Sequence, residues 1–253
     1  MTSRLRTAVR VTFILGVAFN ELGQAQSIDE LRARARQGDI DSQFELGLLY
    51  DTGRGVPQDD GEAVSWYERA AQQGSAEGQY KLGFMYFAGR GVPQAAAVAH
   101  AWWRRAADQG HAEAQYHLGS MYYNGFGVAQ DDGLAMRYFR IAAEKGHIVA
   151  QVLLGIGYGT GRGVAINHVQ SYLWCNLAAS LLEQERVGST PRGTLGSSLP
   201  PMAQDCRDGS WESMFSSERG RAERLVREWG IGNFRLDAAG RPRALDDRGL
   251  CES

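Results

Sequence analysis

The chain repeats itself every 36 residues. Four copies run 38–73, 74–109, 110–145 and 146–181, and ten positions hold the same residue in all of them. In the second copy these are Gly74, Gln79, Leu82, Gly83, Tyr86, Gly89, Gly91, Val92, Ala106 and Ala107. A fixed period of this length signals an array of like units, each burying its apolar surface against the next.

The parts of one unit say what it builds. Between Gln79 and Phe87 the apolar or small residues fall at 79, 82, 83 and 86, the spacing of one helical face. Gly83 sits in the middle of that helix, where glycine costs about 1 kcal/mol relative to alanine. The cost recurs at Gly47, Gly119 and Gly155, as expected if a partner helix presses onto bare backbone. Gly89-Arg90-Gly91-Val92-Pro93 ends the helix, because glycine suits a left-handed cap and proline cannot continue. A second helix follows over about 95–109, with Ala99, Trp102, Ala106 and Ala107 inward. The glycines and the tyrosines Tyr50, Tyr86, Tyr122 and Tyr158 form the structural signature of the repeat. The fold class predicted is all-α: four stacked helix-turn-helix repeats over 38–185, with capping helices at both ends.

Outside the repeats the composition changes. In residues 1–25, Arg4, Arg6 and Arg10 precede the apolar run 11–19, and Gly23-Gln24-Ala25 follows, which reads as a secretory signal peptide cleaved near Ala25. A periplasmic or secreted location is expected, with no stable membrane insertion after cleavage. Losing three arginines and Glu21 takes the formal charge from −2 to −4, which offers no attraction to nucleic acid. Residues 26–37 read as an N-terminal capping helix opened by a Ser27/Glu30 capping box. The segment 186–210, rich in Gly, Ser, Thr and Pro, is expected to be a flexible linker. The span 211–230 is expected to be a C-terminal capping helix docked through Ala222, Leu225, Val226 and Trp229, and 231–253 a mobile tail.

The skeleton Ala112-Glu113-Ala114-Gln115 through Leu118, Gly119, Tyr122, Gly125, Gly127 and Val128 resembles the Sel-1-like repeat family, relatives of tetratricopeptide repeats. The likeness covers about 39–181. It implies a right-handed α-solenoid acting as a scaffold, adaptor or regulator, often in bacterial envelopes. Some secreted members resemble penicillin-binding or β-lactamase-like proteins. Those carry paired cysteines in every repeat, and this chain has only Cys175, Cys206 and Cys251.

No reactive constellation stands out. Histidines occur at 100, 111, 117, 147 and 168 without metal-ligand spacing. Those at 111 and 147 share one repeat position, where capping or surface roles are expected. No catalytic residue, metal or cofactor is assigned. Cys175 occupies a core aromatic's place and reads as a buried thiol, while Cys206 and Cys251 are the pair open to oxidation. The first helices carry a variable face whose residues differ between copies: Asp41, Glu45, Glu77, Lys81, Phe84, Glu113 and His117, flanked by Tyr123, Tyr80, Tyr116 and Phe87. An acidic, aromatic face of this kind suits a protein or peptide partner. Ordinary packing between repeats is the alternative for the aromatics, and plain solvation for the charges. A non-enzymatic envelope scaffold is therefore expected, against two rivals: a binder or hydrolase of cell-wall fragments, and a structural spacer.

Overall fold

The computed structural model describes residues 27–187 and 199–229, and among these every regular element is a helix. Residues 1–25, read from sequence as a signal peptide, most of the first half of 186–210, and 231–253, read as a tail, lie outside the described residues. Among the described residues eleven helices follow one another: α1 (27–36), α2 (Ile40–Thr52), α3 (Asp60–Gln72), α4 (Ala76–Ala88), α5 (Ala96–Asp108), α6 (Ala112–Asn124), α7 (Asp132–Glu144), α8 (Ile148–Thr160), α9 (His168–Val187), α10 (Leu199–Ser213) and α11 (Ser216–Trp229). They fall into two compact units, Met1–Ala106 and Ala107–Ser253, whose border lies within α5.

Side-chain caps start the first helix of every repeat. Asp39 accepts from the Ser42 amide, Ser75 from Gly78, His111 from Ala114 and His147 from Ala150. Each satisfies one of the amides that a helix start leaves without a partner. The same helices end on Gly53, Gly89, Gly125 and Gly161, all left-handed with φ between 66° and 75°. The turn is then pinned by the carbonyl of the signature tyrosine, which accepts the amide nine residues on: Tyr50 from Asp59, Tyr86 from Ala95, Tyr122 from Asp131, Tyr158 from Asn167.

In the first unit, α1 lays Leu31 and Ala35 on Leu46 of α2 and Trp66 of α3. A second cluster joins Val64, Tyr67 and Ala71 of α3 to Leu82 and Met85 of α4. The mid-helix glycine does what its recurrence implies. A Cβ on Gly83 would stand 2.6 Å from the Trp103 ring, and one on Gly47 2.7 Å from Tyr67. Both rings are fully buried, and burying one is worth about 2–3 kcal/mol. Gly91 is constrained twice, by φ +68° and by a virtual Cβ only 2.3 Å from the carbonyl oxygen of Asp60. There the turn of the second repeat seats on the first turn of α3.

In the second unit the pattern recurs for Phe139 on Gly119, and then changes. Cys175 takes the aromatic's place against Gly155. It is not a thiol: it forms a disulfide with Cys206, 31 residues on, and so ties α9 to α10. The buried-thiol reading of Cys175 is thereby corrected, and the pairing of Cys206 with Cys251, left open from sequence, is excluded; Cys251 lies outside the described residues.

The 186–210 reading is corrected too, since α10 occupies its second half. Pro200 and Pro201 fall in the first turn of α10, where no helical amide is needed, so they open a helix rather than prevent one. Leu199 and Ala203 of α10 pack on Val152, Ala178 and Leu182. Ala222, Leu225 and Val226 of α11 join Val169 and Leu173 of α9, the docking expected of them.

Candidate functional site

The first-helix face divides between the two units. On α2, Asp41 and Glu45 are exposed one turn apart. On α4, Glu77 and Phe84 are exposed and Lys81 is half-buried between them. These side chains stand outside the two cores of the first unit. Tyr80 and Phe87, expected to flank them, are half-buried: the Tyr80 carbonyl accepts from the Trp103 indole at 3.1 Å, and the Phe87 ring lies 5.2 Å from that of Trp103.

In the second unit the residues at the same positions are drawn into contact with the next repeat. Glu113 is exposed, and its carboxylate accepts from His147 Nε2 at 3.2 Å. The His147 ring stacks on Tyr116 at 4.4 Å. As His147 Nδ1 accepts the Ala150 amide, the neutral ring with hydrogen on Nε2 satisfies both contacts. The His147 hydrogen bond, aided electrostatically by His147 and less by His117 and His111, outweighs burial and holds the Glu113 carboxyl below its usual range. His117 lies beside Tyr116 at 5.1 Å, and burial pushes its imidazole down to about 4. Tyr123 is no open lining residue either. The Arg162 guanidinium covers its ring at 3.4 Å and donates to its carbonyl at 2.8 Å.

Two features here were not picked out from sequence. One is the Glu113–His147 pair, whose 34-residue separation, almost one repeat, was the available signal. The other is a pair of arginine clamps. Arg90 bonds Asp51 at 2.8 Å and also Asp60, while Tyr67 donates its hydroxyl to Asp51 at 3.1 Å. Arg162 bonds Asp132 at 3.0 Å and thereby lowers that carboxyl's pKa. The Gly-Arg-Gly turn thus carries a latch as well as a helix stop. Among the described residues no group of three or more His, Cys, Asp or Glu converges to hold a metal ion, and none of the helices is long and apolar enough to cross a membrane.

Comparison with known proteins agrees with this architecture. The Sel1 repeat model matches residues 40–75, 76–111, 112–147 and 148–181. Among solved structures the chain is similar to a protective antigen present in uropathogenic Escherichia coli strains and displaying an SLR fold. Identity is 30% and the TM-score 0.62, over 83% of this chain and 46% of that one. It is also similar to a Sel1 repeat protein from Oxalobacter formigenes, at 36% identity and TM-score 0.58, over 62% of this chain and 46% of the other. The chain therefore spans less than half the length of each. No curated protein matches at a significant level. The fold class is that of the α-solenoids, and Sel1 repeats generally serve as scaffolds for protein interaction.

Proposed function

We propose that this chain, which belongs to the Sel1 repeat family, is a non-catalytic scaffold of the bacterial envelope. It would hold a protein or peptide partner against the first helices of its repeats. The observation that carries this reading is the exposure of Asp41, Glu45, Glu77, Phe84 and Glu113 on those helices, at positions that vary between copies while the glutamine, leucine, glycine and tyrosine of the same helices do not. Carboxylates beside an exposed ring suit a segment bearing basic and apolar residues.

An envelope location is supported by the Cys175–Cys206 disulfide, since such bonds persist in oxidising compartments. The signal-like residues 1–25 point the same way. The test is positional. A photo-crosslinking benzoylphenylalanine is placed at Glu45, at Glu113 or at Gln72, an exposed residue of the second helix α3. Each protein is irradiated in envelope extract of the source organism. The same discrete partner should be captured from Glu45 and Glu113 and not from Gln72. Equal capture from all three positions, or none from the first two, would reject the reading.

A further inference from the structure

A groove of about 580 Å³ opens in the second unit between α7 and the turn that precedes α9. Met136 and Tyr158, both buried, form its floor. Ile141 and Ile166 stand on its walls with 41% and 61% of their surface in water. Arg137, exposed, and Arg140 stand beside them, and no carboxylate lines the groove. Arg140 is held in place by the Tyr158 hydroxyl, to which it donates.

The repeat supplies its own control. Seventy-two residues earlier, the positions of Arg137, Arg140, Ile141 and Ile166 are filled by Ser65, Glu68, Arg69 and Gln94. Glu68, Arg69 and Gln94 are engaged locally in the first unit. The Arg69 guanidinium lies 4.5 Å from the centre of the Trp66 ring, Gln72 donates to Glu68, and Gln94 donates to the Phe87 carbonyl. Folding the hairpin pair therefore requires neither isoleucine, nor arginine at position 140. One repeat earlier, arginine is kept at the position of Arg140, as Arg104, but Ala101, Arg105 and Gln130 stand where this groove has Arg137, Ile141 and Ile166. The two isoleucines beside paired arginines are thus the local departure in a chain of net charge −2.

We infer that this groove is a second docking surface, built for an acidic amphipathic segment of another protein. Aliphatic side chains of that segment would cover Ile141 and Ile166, while flanking carboxylates meet Arg137 and Arg140. Charge complementarity selects this occupant: guanidinium groups favour paired carboxylates, and two exposed isoleucines favour an apolar stripe. The inference rests on the scaffold reading but names a different surface and the opposite partner charge.

The test uses the full chain and two fluorescein-labelled peptides of about twelve residues, followed by anisotropy. One has leucine and glutamate at helical spacing, the other leucine and lysine. The acidic peptide should bind with Kd on the order of 10 μM, and the basic one at least tenfold more weakly. Ile166→Glu and Arg137→Glu should each weaken the acidic peptide at least tenfold, with Gln94→Glu in the first unit as a silent control. Melting curves check that all three variants remain folded. Equal binding of both peptides, or indifference to Ile166→Glu, overturns the inference. So does self-association in sedimentation that Ile166→Glu abolishes, because the occupant would then be a second copy. Crosslinks from Glu45 and Glu113 that survive Ile166→Glu would leave the scaffold reading standing while this one fails or holds on its own.

Discussion

In the first unit the second repeat is latched to the first by Arg90, which reaches two carboxylates, Asp51 and Asp60, with the Tyr67 hydroxyl behind them. In the second unit the equivalent Arg162 reaches one carboxylate, Asp132, and spends its flat face on Tyr123. Glu113, His147 and Tyr116 add a further contact there. The closing residue differs as well: Tyr67 and Trp103 lie over glycine in the first unit, whereas in the last repeat a disulfide takes the aromatic's place. One backbone pattern thus tolerates two chemistries at its joints, because the ring-on-glycine contact and the tyrosine carbonyl lock set the geometry. The latches add to it. Arg90 and Arg162 are each about one-third exposed at the side chain, where ion pairs contribute about 1 kcal/mol or less.

The largest effect should therefore come from filling the space under a ring. Gly83→Leu would drive a branched side chain into Trp103, whose ring stands 2.6 Å from the virtual Cβ. Overpacking of this kind should cost about 3 kcal/mol or more. A urea titration measures it. A loss smaller than that from Arg90→Ala would reverse the ranking of ring contact over latch.

Next is the bond found only in the second unit. Closing a 31-residue span limits the unfolded chain by about 3–4 kcal/mol in the loop-entropy account. Cys206→Ser should lose about that much. Dithiothreitol should lower the wild type toward the variant and leave the variant unchanged. If reductant does not move the wild type, the cap is held by Leu199, Ala203 and Ala222 alone, and the two units close their hairpins by packing in the same way.

Repeat period, helix pairs and glycine contacts were legible in the sequence because they recur four times, and recurrence separates constraint from accident. The ends were not legible, because they occur once. Helix α10 buries few residues, Leu199, Ala203 and Ser210, so its apolar periodicity is faint. Its two prolines look like loop chemistry unless the helix start is already known. The Cys175–Cys206 pairing depended on where α10 docks, which no local pattern encodes. The variable face was half legible. Asp41, Glu45, Glu77, Phe84 and Glu113 of that face are exposed, but Tyr123 is covered by a cation from 39 residues away. The groove at Ile141 and Ile166 escaped attention because its walls come from a second helix and a turn of the next repeat.

A smaller, pH-dependent difference should follow from His117. Its folded value of about 4 lies below the unfolded value near 6.5. Between these limits the unfolded chain binds more protons, so its contribution to stability is complete above pH 6.5 and is lost as pH falls toward 4. The slope should be about 1 kcal/mol per pH unit. Burial is the main cause, with Glu113 opposing it more weakly. His117→Gln should flatten this part of the stability curve. A slope that survives the substitution would assign the acid sensitivity of the second unit to another group.

The smallest effect should be a gain. In every repeat a buried glutamine donates Nε2 to an alanine carbonyl eight residues earlier, from Gln43 to Ala35, Gln79 to Ala71, Gln115 to Ala107 and Gln151 to Ala143. In the first unit the Oε1 of Gln43 accepts from Gln73 at 2.7 Å. Thirty residues beyond Gln115 the same position is Lys145, whose ammonium turns to the Gly110 carbonyl instead. The buried Gln115 Oε1 is left with no protein donor. Lys145→Gln should restore the arrangement of the first unit in the second. A neutral hydrogen bond to a buried acceptor should raise stability by about 0.5–1 kcal/mol, partly offset by loss of the exposed lysine contact. Chemical denaturation resolves a change of that size, and Gln115→Leu in the same background separates the new bond from the lost charge. A loss of stability in Lys145→Gln would show that the lysine contact, peculiar to the second unit, matters more than the glutamine pair it displaced.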